Sequence, residues 1–126
     1  MATMQNVEYL SLPVASDLSA SQWCFVDINS AGRVALAGAG TDAIGVMADT
    51  EGSALGRVTA VMTKFGAKTK VKLGATVAAG AYVKSDSTGR AVTATSGTFV
   101  LGRCVDGGDV NNIGSIIFGT TGGKMF

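Results

Sequence analysis

The sequence predicts an all-β fold, a small β-barrel or sandwich built from two duplicated four-strand units with extended N- and C-terminal arms. Three observations predict it. One tract repeats at a spacing of 57 residues. Short runs rich in β-branched and aromatic residues alternate with turns carrying Gly, Asn, Asp and Ser. No long helical period occurs, and closely spaced short strands with frequent turns are the signature of barrels and sandwiches.

The repeat relates residues 25–49 to residues 82–106 without a gap. Identical pairs include Val26/Val83, Ser30/Ser87, Gly32/Gly89, Arg33/Arg90, Ala37/Ala94, Gly40/Gly97, Thr41/Thr98, Gly45/Gly102 and Asp49/Asp106. Turn positions match together with apolar positions, which favours duplication over chance in a Gly- and Ala-rich chain. One inserted residue extends the match to residues 55–58 against 113–116. The repeat units are thus 25–63 and 82–119 in a single domain, 1–126, with an N-terminal arm, 1–12, and a C-terminal tail, 119–126.

Each unit reads as four strands. Phe25-Val26-Asp27-Ile28 and Tyr82-Val83-Lys84 open them. Asn29 to Gly32 and Asp86 to Gly89 turn the chain: an Asx side chain bonds its own backbone, and Gly accepts positive φ. The return strands begin at Arg33 and Arg90, and turns follow at Gly38-Ala39-Gly40 and Ser96-Gly97. Ala43 to Met47 and Phe99 to Val105 form third strands, and Arg57 to Met62 and Ser115 to Phe118 form fourth strands. Between the units, Ala67 to Leu73 alternates strictly, with Lys68, Lys70 and Lys72 on one face of a half-buried strand. Residues 74–83 have Gly and Val at a period of three, which suits a turn-rich connection. A short helix over residues 14–22, after Pro13, is also expected.

Composition excludes several classes. Charged residues are 15% of the chain against about a quarter in ordinary globular proteins, and hydrophobic residues are 47%. The surface is therefore built largely from small, weakly polar side chains. A net charge of +1 makes no case for nucleic acid or an anionic membrane. No apolar run reaches the roughly 18 residues of a membrane-spanning helix. The first six residues lack the basic-then-apolar order of an export signal, so synthesis and use without export are expected. Cys24 and Cys104 lie in apolar runs and read as buried free thiols.

No catalytic constellation stands out. The chain has no His, which removes the commonest general base and metal ligand. Gly38-Ala39-Gly40 lacks the third Gly and following helix of a dinucleotide loop. Asp106 to Asn112 offers oxygens in a Gly-rich loop but no bidentate Glu for calcium. No catalytic, cofactor or metal site is assigned, and no enzyme activity is expected. The candidate contact residues are Val7, Tyr9 and Leu10 near one end, Met125 and Phe126 at the other, and the Lys68/Lys70/Lys72 stripe. The termini read as frayed ends or as arms that order on a partner. The stripe reads as a solvated face that discourages edge association or as a contact for an acidic protein surface. Nucleic acid is disfavoured because no aromatic residues are interleaved with the lysines.

The pattern Gly74-x-x-Val77-x-x-Gly80-x-x-Val83-x-x-Asp86-x-x-Gly89-Arg90-Ala91-Val92, followed by Thr95-Ser96-Gly97-Thr98-Phe99-Val100-Leu101-Gly102, resembles the capsid cement, or head decoration, proteins of tailed bacteriophages. The likeness covers residues 73–118 and, through the repeat, residues 25–62 more weakly. The tail after residue 118 and the long stretch before residue 23 depart from the family's pattern. The resemblance implies a virion structural protein, assembled in the host cytoplasm, that binds the outside of an expanded capsid as a homotrimer. It would clamp neighbouring major capsid subunits against packaged DNA, with no cofactor. A phage tail or baseplate component, or a ligand-binding barrel, is the alternative.

Overall fold

The computed structural model describes residues 2–48 and 58–119. Ten strands run β1 (Tyr9–Pro13), β2 (Phe25–Ile28), β3 (Val34–Leu36), β4 (Gly45–Met47), β5 (Val58–Met62), β6 (Lys68–Lys72), β7 (Tyr82–Ser85), β8 (Ala91–Thr93), β9 (Gly102–Asp106) and β10 (Ile113–Phe118). They form two five-stranded antiparallel sheets, packed as a sandwich, with orders β1-β5-β4-β2-β3 and β6-β10-β9-β7-β8. Adding five to each strand of the first order gives the second, so the duplication extends to topology.

Each unit has five strands, not the four expected. The additional strands are β1 and β6, which lie outside the recognisable repeat because they share almost no residues. Their register is nonetheless equivalent: Tyr9 faces Met62 on β5, and Lys68 faces Ile117 on β10. Immediately after each strand the chain curls round to the far edge of its own sheet. Val14 bridges Val34, and Leu73 bridges Ala91. The stretch expected as an N-terminal arm is thus paired from Tyr9 onward, and Gln5 also bridges Lys68.

Two further expectations are corrected. Residues 14–22 form bends and turns, not a short helix. Val14 is spent on the bridge to Val34, and Leu18 is buried with Val26, Val34, Met47 and Val61 under the first sheet. Anchored at both points, the segment has no room for regular turns. The inserted-residue extension of the repeat also misplaces the last strand. Met47 faces Val61 and Cys104 faces Ile116, so the true equivalence there is Val61 with Ile116. Fewer residues separate Cys104 from Ile116 than separate Met47 from Val61, and no residue shared by the two units marks the difference.

The repeated turns are chemically duplicated. Asn29 Oδ1 accepts from the backbone N–H groups of Ala31 and Arg33, and Asp86 Oδ1 accepts from those of Thr88 and Arg90. The units then join through backbone. Phe25 N–H donates to Gly89 O at 2.6 Å, Gly40 N–H to Ser85 O at 2.9 Å, and Phe99 N–H to Gly40 O at 3.1 Å. Gly89 is required there: its φ is 80°, and a Cβ would lie 2.7 Å from Phe25 O. The larger core cluster spans both units, with Phe25, Val46 and Met62 packed among Val71, Leu73, Val83, Cys104, Ile116 and Phe118.

Candidate interaction surface

Strand β6 alternates as expected: Thr69 and Val71 are buried, and the three lysines are half-buried on the other side. The sheet register extends that face. Ile117, Ser115 and Ile113 lie opposite Lys68, Lys70 and Lys72; Arg103 lies opposite Ile117, and Tyr82 opposite Arg103. Two residues beyond Tyr82, Lys84 shares the face by the period-two rule. One side of the second sheet therefore gathers Lys68, Lys70, Lys72, Lys84 and Arg103.

The corresponding positions of the first unit have the opposite character. Phe25, Val46 and Met62 are fully buried there. Their counterparts Tyr82, Arg103 and Ile117 are half-buried or exposed. The first sheet buries this face in the common core; the second sheet turns it outward and lines it with cations.

Aromatic rings lie beneath two of those cations. Lys70 Nζ stands 5.5 Å from the Trp23 ring centroid, and the Arg103 guanidinium 5.0 Å from that of Tyr82. Aromatics are thus interleaved with the cations in space, although none is interleaved in sequence. Trp23 takes φ 66°, a left-handed conformation that bulky residues avoid. Its counterpart across the repeat is Gly80, φ 86°. The bonds are equivalent too: Trp23 N–H donates to Met47 O and Gly80 N–H to Cys104 O. The duplicated turn thus holds a tryptophan in a glycine conformation beside the lysines.

Of the five cations, Lys68 reaches a carboxylate, Asp106 Oδ2, at 3.7 Å. The Ser115 hydroxyl donates to the same oxygen at 2.6 Å and lowers the Asp106 carboxyl below its ordinary value. Lys70, Lys72, Lys84 and Arg103 have no ion pair among the described residues. Beside Trp23 runs an open cleft of about 380 Å³, bounded by Ser19, Gln22, Lys72, Asn111 and Ile113. It adjoins a second, of about 420 Å³, that reaches Cys24 and Arg90. Burial raises the thiols of Cys24 and Cys104 above the ordinary range, so both stay protonated and poorly nucleophilic. Both are buried and unpaired. Among the described residues no cluster of His, Cys, Asp and Glu could hold a metal ion.

The two edge strands differ. The outer edge of β6 is capped by its own chain: Lys68 and Gln5 exchange backbone bonds, Lys70 N–H points to Met4 Sδ, and Lys72 N–H donates to Trp23 O. On β1, Tyr9 is 47% and Leu10 53% exposed, whereas Val7 packs against the core. Met125 and Phe126 lie outside the described residues. The structure thus groups the three lysines with Trp23, Tyr82, Lys84 and Arg103, and places Tyr9 and Leu10 on the opposite sheet. Trp23, Lys84 and Arg103 escaped the sequence reading. Setting Trp23 against Gly80 in the repeat would have flagged the first.

No known family's profile matches the chain, and no curated protein matches it. Among solved structures, it is similar to the N base of the head fiber gp8.5 of bacteriophage phi29. The TM-score is 0.73 at 16% identity, over 89% of this chain and 93% of that one. The two share a fold over most of both chains.

Proposed function

We propose that the chain is a structural virion protein that binds the outer surface of an expanded phage capsid and stabilises it by clamping neighbouring major capsid subunits. The observation that carries this reading is the likeness of fold, over most of both chains, to the base of a phage head fiber. The sequence resemblance to capsid cement proteins points the same way and rests on different information. The chemistry is compatible: protonated buried thiols and open clefts beside a broad cationic and aromatic face suit protein contact better than turnover. A ligand-binding barrel would enclose its ligand, whereas the two clefts beside Trp23 and Cys24 are open. On this reading the protein acts as a homo-oligomer, a trimer, and has no cofactor. Contacts to several linked subunits act at high effective concentration, so modest single contacts suffice. Binding only the expanded shell would stabilise that state by mass action.

Co-sedimentation of the purified protein with expanded heads stripped of accessory proteins, alongside unexpanded proheads, tests the proposal. Saturable binding to expanded heads alone, at a fixed ratio to the major capsid protein, is expected. Absence of binding to either shell from the matching phage would overturn it.

A further inference from the structure

We infer that the cationic outer face of the second sheet, centred on Lys70, Lys72, Lys84 and Arg103 with Trp23 at its margin, is the docking surface, and that its partner is a carboxylate-rich protein surface. The inference names the contact chemistry of the proposed capsid-binding role and rests on that reading.

Charge is segregated between the units. Residues 1–63 carry two Arg against six Asp and Glu, a formal −4; residues 64–126 carry eight Lys and Arg against three Asp, a formal +5. The near-neutral whole therefore hides two halves of opposite formal charge. Within the second unit, the cations concentrate on the face whose counterpart in the first unit is core. A merely solvated face would need polarity of either sign, and neutral or mixed charges would serve. This face instead carries five cations against one carboxylate, Asp106, which among the described residues pairs with Lys68 and leaves the other four cations without an ion pair. Half-buried Tyr82 and Ile117 and exposed Ile113 intervene, so a partner gains apolar contact as well as ion pairs.

Nucleic acid is the competing polyanion. Lys70 and Arg103 stand over the two rings and obstruct base stacking, and the acidic first unit would repel an extended polyanion. The strained Trp23 backbone fits a contact residue, because strain of this kind is retained where a side chain must be held in place.

Trp23 is the single tryptophan, so its fluorescence reports on the margin of the face. The test titrates the full-length protein with an oligoglutamate peptide, and separately with a single-stranded oligonucleotide of equal charge. A saturable Trp23 change with the peptide is expected, weakening at least tenfold as salt rises from about 0.05 to about 0.5 M, where screening shortens to a few ångströms. The triple variant K72E/K84E/R103E leaves Lys70 over Trp23 and should lose the response while keeping its circular dichroism and cooperative melt. The neutral variant K72Q/K84Q/R103Q should fall between, which separates charge from folding. No response to the peptide, or tighter binding of the oligonucleotide, overturns the inference. The same variants in the head co-sedimentation separate the two claims. Wild-type binding that survives charge reversal overturns this face and leaves the proposed function standing. Peptide binding without head binding overturns the function and leaves the chemistry of the face.

Discussion

Asp86 shows how one side chain sets a turn and a pH dependence together. Burial alone raises its carboxyl. The backbone N–H groups of Thr88 and Arg90, the Thr88 hydroxyl and the Arg90 guanidinium at 3.0 Å outweigh burial and hold it below the ordinary 3.8. The unfolded chain therefore binds the proton more tightly than the folded one. The Asp86 contribution is complete above the ordinary value and is lost as the pH falls below it toward the folded value. Asp86→Ala orphans two backbone donors and should cost about 2 kcal/mol at neutral pH. Asp86→Asn should cost under about 1 kcal/mol, because Asn29 already makes the same turn in the first unit. Denaturant midpoints at neutral and acidic pH check this; the difference between wild type and Asp86→Asn should vanish in acid. An Asp86→Asn protein as damaged as Asp86→Ala would mean that the Arg90 pair, not the turn, is what matters. Such turns were legible in the sequence because Asx and Gly advertise their backbone needs. Trp23 was not legible, since nothing local marks a tryptophan for positive φ.

At the level of elements, legibility followed local pattern. β6 could be read to the residue because strict Lys alternation leaves one register. β1 could not: Tyr-Leu-Ser-Leu-Pro alternates poorly, and its place at a sheet edge comes from distant pairing with β5. The cationic face was read only where it follows one strand; Lys84 and Arg103 joined it through cross-strand register that the sequence does not display. The capping of β6 belongs to the same class of long-range fact. Met4 and Gln5 cover an edge that otherwise offers free N–H groups to other chains. Removing residues 1–5 deletes the reciprocal Gln5–Lys68 pair and should lower stability by about 2 kcal/mol. It should also produce concentration-dependent association, visible by light scattering. A truncated protein that melts like wild type and stays dispersed would show that the lysines alone protect the edge.

At the scale of the whole molecule, duplication has not produced two independent halves. A chain built from stacked equivalent units could unfold piecemeal. Here the first unit lends Phe25, Val46 and Met62 to a core shared with Val71, Val83, Ile116 and Phe118 of the second. Gly89 backbone is bonded to Phe25 as well. Severed from its neighbour, the first unit would expose three fully buried apolar side chains, a loss comparable with the net stability of a small domain. Unfolding should therefore be a single transition, and a core change in one unit should weaken both. Phe25→Ala removes the ring that packs 6.4 Å from that of Phe118 and should cost about 4 kcal/mol. Native-state amide exchange reads the outcome strand by strand. Protection should fall by the same free energy in β2 and β4 of the first unit and in β7, β9 and β10 of the second. Loss confined to the first unit would mean that the shared core joins two separately stable bodies. The rigidity that the proposed clamping role requires would then have to come from elsewhere.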